Sequence, residues 1–215
     1  AISTAPADSS TDRVAFSTLR WFLTGGGAFG TQINSCNVVI RTDSAQRQPD
    51  VQLMCNPVRM DARIWWPMGP TQQHRITADV VVLHPQSRGS MRLRSANPAD
   101  APRIQLNLFS DPADMATARR GLAAARRIYA TRPQADLVAA ETAPGPTVGS
   151  DAEIEAYIRR TAGVTQHPVG TARMGSDERA VVDPQLRVRG VEGLRVIDAS
   201  IRPAVPGGNC NATTI

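Results

Sequence analysis

Four short apolar or alternating segments between residues 33 and 108 constrain the fold of this chain most strongly. Each segment is bounded by Pro, Gly or Asp, and none is as long as an ordinary helix. The four segments are Asn37–Arg41, Val51–Cys55, Thr77–Leu83 and Ser90–Arg94. Short strands separated by turns are typical of sheets whose neighbouring strands run antiparallel. The sequence therefore predicts an antiparallel or mixed sheet in this part of the chain.

Two helices with clear start signals follow the predicted strands. Asp111 is a candidate N-cap, Pro112 lies in the first turn, and Asp114 lies at the positive end of the helix dipole. Ser150 and Glu153 have the spacing of a capping box for the second helix. The predicted apolar faces are Met115, Ala118, Leu122, Ala125 and Tyr129 in the first helix, and Ile154, Tyr157 and Ile158 in the second. The sequence thus predicts an α+β fold, in which helices cover a sheet.

Composition excludes several kinds of function. The chain has 41% hydrophobic residues, which is typical of a globular protein, and no apolar run approaches the length of a membrane span. All 24 basic residues are arginine, and they are scattered rather than clustered, so the net charge of +5 predicts solvated faces and no nucleic-acid partner. Without lysine, the chain can contain neither a Schiff-base nucleophile nor a Walker-A loop.

The cysteines and the termini suggest a piece of a cytoplasmic protein. Cys36, Cys55 and Cys210 do not have the spacing of metal ligands, so no metal site is predicted, and their odd number argues against a disulfide framework. A reducing compartment, the cytoplasm, fits these thiols best. The chain starts without Met or a signal-peptide pattern, and Thr213-Thr214-Ile215 looks like the opening of a helix. We therefore expect it to belong to a longer protein.

A glycine-rich stretch imitates a dinucleotide-binding motif. Gly25-Gly26-Gly27-Ala28-Phe29-Gly30 satisfies Gly-x-Gly-x-x-Gly, but that motif requires a strand before it and a helix after it. Here a helix-like Arg20–Leu23 precedes the glycines, and polar residues follow them. The stretch is better interpreted as a flexible connection than as a cofactor site.

Chemistry-bearing residues concentrate near the C-terminus. His167 precedes Pro168, which favours an extended backbone, and Gly170 permits a sharp turn soon afterwards. Asn209 follows two glycines. A histidine in such a loop can be a general base, a ligand or a structural turn residue, and Asn209 has the same alternatives. Spacing alone leaves these alternatives open. Four other residues are interpreted mainly as structural: Trp65, Trp66, His74 and His84.

These C-terminal segments resemble the signature of the glucose–methanol–choline flavoprotein oxidoreductases. His167–Gly175, Val182–Ser200 and Pro206–Thr213 occur in the order typical of that family. Pro85–Ser90 more weakly resembles the start of the same family's substrate-domain sheet, together with Leu93, Ser95, Pro98, Pro102 and Ile104. The resemblance implies a connecting segment at 1–32, a substrate-binding domain at 33–164 and a catalytic-histidine segment at 165–215. It also implies that residues 165–215 return into a Rossmann-like FAD-binding domain whose N-terminal part this chain lacks.

The same resemblance assigns roles to six residues. His167 matches the family's catalytic base, and Asn209 matches its partner at the substrate oxygen. Asp198 and Ala199 match the segment that meets the linking portion of FAD, and Asn211 matches the approach to the flavin's pyrimidine edge. Gln166 is expected to face flavin or substrate, although other members often carry an aromatic residue there. Ala172, where many members have Cys, is a small apolar exchange.

The resemblance implies an FAD-dependent enzyme that oxidises a primary or secondary alcohol. The expected partners are a small-molecule alcohol and an N-terminal FAD-binding part, either of the same protein or of a companion chain. One alternative is a hydroxynitrile lyase, which uses the histidine without net redox change. The other is a non-catalytic substrate-cap domain that folds alone.

Overall fold

The computed structural model describes residues 2–4, 11–27, 36–56 and 75–215. The strands are β1 (Ile2–Thr4), β2 (Cys36–Ile40), β3 (Val51–Asn56), β4 (Arg75–Val82), β5 (Ser90–Arg92), β6 (Arg103–Gln105) and β7 (Val138–Glu141). The helices are α1 (Thr11–Thr24), α2 (Pro112–Tyr129) and α3 (Asp151–Thr161), and short 3₁₀ turns occur at Gln134–Asp136 and Ala199–Ile201. Trp65, Trp66 and His74 lie outside the described residues.

The main sheet is antiparallel, as the alternating segments predict. Five strands are ordered β2-β3-β4-β1-β7, and β5 pairs with β6 in a separate two-stranded sheet. Each of the four predicted segments contains a strand. The strands β1, β6 and β7 were not predicted, because three or four residues are too few to show a period. The α+β class is therefore confirmed.

Helix α2 packs across the centre of this sheet. The core consists of Val51 and Leu53 of β3, which are 0% and 1% exposed, together with Ala125 of α2. Gly121 also faces the sheet, and a Cβ on it would lie 2.5 Å from Cγ1 of Val80. The predicted stripe names Leu122, which is half-buried, and does not include its fully buried neighbour Gly121. The missing Cβ lets the helix approach the strands closely at Gly121.

The N-terminus of α2 confirms its predicted cap and gives Asp114 another role. The side chain of Asp111 accepts a hydrogen bond from the Ala113 amide at 2.8 Å. Asp114 is 4% exposed, and its two carboxylate oxygens accept from the backbone N–H groups of Gln86 and Ser87, each at 2.8 Å. The acid predicted from the helix dipole thus also fixes the loop that follows β4.

Helix α3 begins at the predicted capping box. Ser150 accepts from the Glu153 amide at 3.3 Å, and the Glu153 carboxylate accepts from the Ser150 amide at 2.9 Å. Arg119 of α2 forms ion pairs with Asp151 and Glu155 of α3, the second at 3.0 Å. The two helices are therefore joined side by side, and α3 leads directly into the segment that contains His167.

The first glycines of the apparent dinucleotide motif end a helix. The Gly25 amide donates to the Trp21 carbonyl at 2.8 Å, and Gly25 has a φ of 66°. This is the ordinary way for a glycine to end a helix, so these glycines do not open a βα unit. Residues 28–30 lie outside the described part. Within it, no helix is both long and apolar enough to cross a membrane.

Residues 165–215 form a set of loops that hydrogen bonds join together. Their regular structure consists of the 3₁₀ turn Ala199–Ile201 and isolated bridges such as Met174 with Val182. The return of this segment into a Rossmann-like domain stays a prediction, as do the domain boundaries.

Candidate active site

His167 lies on the extended segment that follows α3. Its side chain is half-buried. Gln166 directly before it has a φ of 60°, and Gly170 shortly after it has a φ of 89°. A left-handed backbone is unusual for a glutamine and costs about 1 kcal/mol or more, so the surrounding structure must hold it there. The left-handed backbone at Gly170 agrees with the predicted turn there, whereas the one at Gln166 was not predicted.

The segment after His167 runs beside the Asp198–Ile201 turn. The amide of Ala172 donates to the Ser200 carbonyl at 3.0 Å, and the amide of Met174 donates to the Ile201 carbonyl at 2.7 Å. Two candidate segments that are separate in the sequence are thus connected by backbone hydrogen bonds.

Asp198 is exposed and caps the short turn that Ala199 begins. Its carboxylate accepts from the Ser200 amide at 2.8 Å. The hydrogen bond from the Ser200 side chain, followed by the one from its backbone, lowers the pKa of Asp198. Asp198 is consequently a helix cap that carries a negative charge at neutral pH. Its contact with a cofactor stays a prediction.

The turn at Gly207–Asn209 brings a third segment to His167. The thiol of Cys210, which is buried, lies 3.9 Å from the His167 carbonyl oxygen. Asn209, the residue just before Cys210, is exposed. The structure thus brings the residue that follows Asn209 into contact with the backbone of His167, and the side chain of Asn209 is exposed.

The last residues form a single helical turn, as predicted. The carbonyl of Asn211 accepts from the amides of Thr214 at 2.9 Å and Ile215 at 3.2 Å. Arg202 extends from the 199–201 turn to the Thr213 carbonyl and the Thr214 hydroxyl. The exposed side chain of Asn211 therefore has a defined position relative to Asp198 and Ala199.

His84 belongs to the same neighbourhood, and sequence reasoning missed it. It lies just after β4, and its ring packs against Gly207, where an added Cβ would be 2.8 Å from Cε1 and 3.1 Å from Nε2. This contact agrees with the interpretation of His84 as a structural residue and adds where it packs. His84 precedes Pro85 just as His167 precedes Pro168, but this shared dipeptide does not predict which distant residue either ring contacts.

An ion pair fixes the loop downstream of His167. The guanidinium of Arg173 donates to both carboxylate oxygens of Asp177, at 2.6 and 2.9 Å. The hydrogen bonds from Arg173 hold the pKa of Asp177 far below its usual range.

Among the residues described, no group of three or more His, Cys, Asp or Glu side chains could hold a metal ion. The chemistry of these loops is therefore that of a histidine, amides and a carboxylate.

Known proteins share this arrangement of sequence and fold. The chain is 48% identical over 139 residues to an alcohol dehydrogenase [acceptor] of Pseudomonas putida, covering 65% of this chain and 25% of that protein. It is 40% identical over 199 residues to the human mitochondrial choline dehydrogenase, covering 91% and 32% respectively. A formate oxidase structure from Aspergillus oryzae, determined to study FAD modification, matches with a TM-score of 0.71 and 26% identity over 98% of this chain and 35% of that one.

The chain spans about a quarter to a third of the length of these curated relatives. A family model described as GMC oxidoreductase matches residues 85–215, the part that contains α2, α3 and all of the candidate loops. Since this match covers more than half of the chain and ends on the same loops that converge at His167, the protein belongs to the glucose–methanol–choline oxidoreductase family.

Proposed function

We propose that this chain is the substrate-domain and catalytic-histidine part of an FAD-dependent enzyme that oxidises a primary or secondary alcohol. The observation that carries this proposal is the convergence of three loops around residues 167–174. The Cys210 thiol, next to Asn209, contacts the carbonyl of half-buried His167, and the 198–201 turn accepts hydrogen bonds from the segment that follows His167. The family membership supplies the reaction class, and relatives named alcohol dehydrogenase and choline dehydrogenase supply the substrate class.

Removal of a proton is the step that this chain can perform. Oxidation of an alcohol requires the hydroxyl proton to leave as the carbon gives up a hydride. His167 accepts that proton, and Asn209 holds the substrate oxygen through its exposed side-chain amide. The left-handed backbone at Gln166 orients the imidazole before substrate arrives.

FAD is the cofactor, and when bound it supplies the hydride acceptor at its N5 atom. The exposed side chains next to His167 fit such a group. Asn211 would offer its amide to the pyrimidine edge of the flavin, and Gln166 would face flavin or substrate. Exposed Asp198 and half-buried Ala199 would meet the linking portion of FAD. The chain's contribution is therefore placement and hydrogen bonding rather than redox chemistry.

The partner of this chain is the N-terminal FAD-binding part, of the same protein or of a companion chain. Apolar side chains are exposed beside the candidate site, among them Val191, Leu194 and Ile197, the last at 71%. Isolated exposed apolar residues are ordinary, but several of them along one loop segment are typical of a surface that another part of the protein covers. We place the protein in the cytoplasm, because its three cysteines carry thiols rather than disulfides.

The first test is to replace His167 with Ala and with Gln in the complete enzyme. Loss of the base is expected to lower kcat for alcohol oxidation by about 10²–10⁴-fold, while the bound flavin keeps its visible spectrum. Steady-state kinetics and single-turnover bleaching of the flavin measure the two properties separately. Glu178→Gln, on an exposed position of the following loop, is the matched control and should keep full activity.

Near-normal oxidation by both His167 variants would contradict the proposed role. Cleavage of a cyanohydrin without reduction of the flavin by any alcohol would instead favour the hydroxynitrile lyase alternative.

A further inference from the structure

Cys36 and Cys55 lie directly opposite each other on two paired strands. Cys36 is the first residue of β2, and the antiparallel register with β3 aligns it with Cys55. Residues aligned in this way have their side chains on the same face of the sheet, with Cβ atoms about 4.5–5.5 Å apart. Their Cα atoms are about 4.5–5.5 Å apart, which lies within the range that a disulfide spans. A small local closure would therefore bring the two sulfur atoms into bonding distance.

The two thiols differ in accessibility. Cys36 is exposed, and β2 is at the edge of the five-stranded sheet. Cys55 is half-buried beneath α2, where the Tyr129 hydroxyl lies 3.5 Å from its sulfur. Burial, followed by the hydrogen bond with Cys55, raises the pKa of Tyr129, so the phenol keeps its proton and can donate to that sulfur. An oxidant can thus reach Cys36 first, while Cys55 is held beside it.

We propose that Cys36 and Cys55 form a redox-active pair that closes to a disulfide in the presence of hydrogen peroxide. The thiolate of Cys36 attacks one peroxide oxygen, the O–O bond breaks, and Cys36 becomes a sulfenic acid as water is released. The sulfur of Cys55 then displaces the sulfenic oxygen as a second water. In total, two thiols are oxidised, one peroxide is reduced to two waters, and a small dithiol reverses the change by exchange.

This proposal concerns a different part of the chain from the candidate active site. Closure would link the edge strand β2 covalently to β3, on the face of the sheet that α2 covers. The third cysteine, Cys210, is buried among the C-terminal loops and has no place in this register. It therefore serves as an internal reference for the selectivity of the reaction.

The test is peptide mapping of the folded protein after treatment with hydrogen peroxide. Remaining thiols are blocked with N-ethylmaleimide, and trypsin then places Cys36 in peptide 21–41, Cys55 in peptide 48–59 and Cys210 in peptide 196–215. Mass spectrometry is expected to find peptides 21–41 and 48–59 joined, and dithiothreitol should separate them. Cys36→Ser and Cys55→Ser should each abolish this product, whereas Cys210→Ser should leave its yield unchanged.

Three results would overturn the proposal. The first is sulfinic or sulfonic Cys36 without any cross-linked peptide. The second is joining of either peptide to 196–215 in comparable amount. The third is the same cross-link pattern after unfolding in guanidinium, because the strand register would then have no part in the selection. None of these readouts depends on alcohol oxidation, so the proposal can fail or stand independently of the proposed function.

Discussion

Gly207 of the C-terminal turn packs against His84, which follows β4. We expect Gly207→Ala to destabilise the protein, because its Cβ would lie 2.8 Å from Cε1 of the His84 ring. Inserting a methyl group into such a contact costs about 1–3 kcal/mol in the free energy of unfolding. Urea denaturation of the two proteins measures this difference.

Gly208 provides the matched control for that substitution. A Cβ on Gly208 meets nothing within 4 Å, so Gly208→Ala should be nearly neutral. Combining Gly207→Ala with His84→Ala should restore most of the lost stability, because the clashing ring is then absent. Equal losses for both glycines would show that the backbone of the turn, rather than His84, determines the cost.

The two His-Pro pairs show how far single residues can be interpreted from the sequence. The local effect of Pro168 and Gly170 on the backbone of His167 was predictable, and the resemblance pointed to its role. The position of His84 was not predictable, because its contact with Gly207 joins two residues that are far apart in the chain. Local rules describe the backbone at a residue, but they do not supply its distant neighbours.

Helix α2 depends on the absence of a side chain at one position in its centre. Gly121→Ala should gain about 1 kcal/mol in helix propensity. The added Cβ, however, would lie 2.5 Å from Cγ1 of Val80, and the resulting overpacking costs about 1–3 kcal/mol. We therefore expect a net loss of stability in thermal or urea unfolding. Gly149→Ala, where a Cβ meets nothing within 4 Å, is the matched control.

The companion variant Val80→Ala separates the clash from other effects. If it fails to recover stability in the presence of Gly121→Ala, then close packing of α2 on β4 is not the cause of the loss.

The connection between β2 and β3 should make stability depend on pH. The Asp50 carboxylate accepts from the amide and the hydroxyl of Thr42, at 2.7 and 2.6 Å, and Arg120 of α2 lies 3.4 Å away. Burial acts to raise the pKa of Asp50, but the hydrogen bonds from Thr42 and Arg120 outweigh it and lower the pKa. The charged form therefore stabilises the folded state fully above the unfolded-state pKa of about 4.

That contribution should be lost as the pH falls through the lowered pKa of the folded state. Asp50→Asn should consequently reduce stability at neutral pH and flatten the decline of the unfolding midpoint in acid, measured by urea titrations at several pH values. Asp43→Asn, in the same connection, is the control and should leave the acid decline unchanged. If stability declines in acid equally steeply in Asp50→Asn, then other carboxylates, and not Asp50, cause the decline.

Elements with their own start signals were the predictable part of this fold. Both predicted caps, at Asp111 and Ser150, form the expected hydrogen bonds. Which side of α2 faces the sheet is determined by tertiary packing. A sequence pattern favours burial of Leu122 over its neighbour Gly121, but in the structure Gly121 is the more buried of the two. A glycine interrupts an apolar sequence pattern, although here it faces the sheet and leaves no room for a side chain.

At the scale of the whole molecule, the sheet was predictable and its strand order was not. Four segments with visible alternation became strands, but the two that complete one side of the sheet, β1 and β7, have only three and four residues. Such segments form strands because neighbouring strands supply hydrogen-bond partners, which a sequence pattern does not reveal. The same holds for the candidate loops. The family resemblance identified them in the sequence, but only the fold shows which of them contact one another.

The position of β1 in the sheet has a consequence for synthesis on the ribosome. Although β1 precedes the other described strands, it lies between β4 and β7, and its partners extend to Glu141. During translation, Ile2–Thr4 emerges long before the strands on either side of it. The pairings of β2, β3 and β4 can form earlier, whereas the link to β7 must wait until α2 has been made. Strand β1 therefore leaves the ribosome before the other described strands but is among the last of them to have both of its neighbours in place.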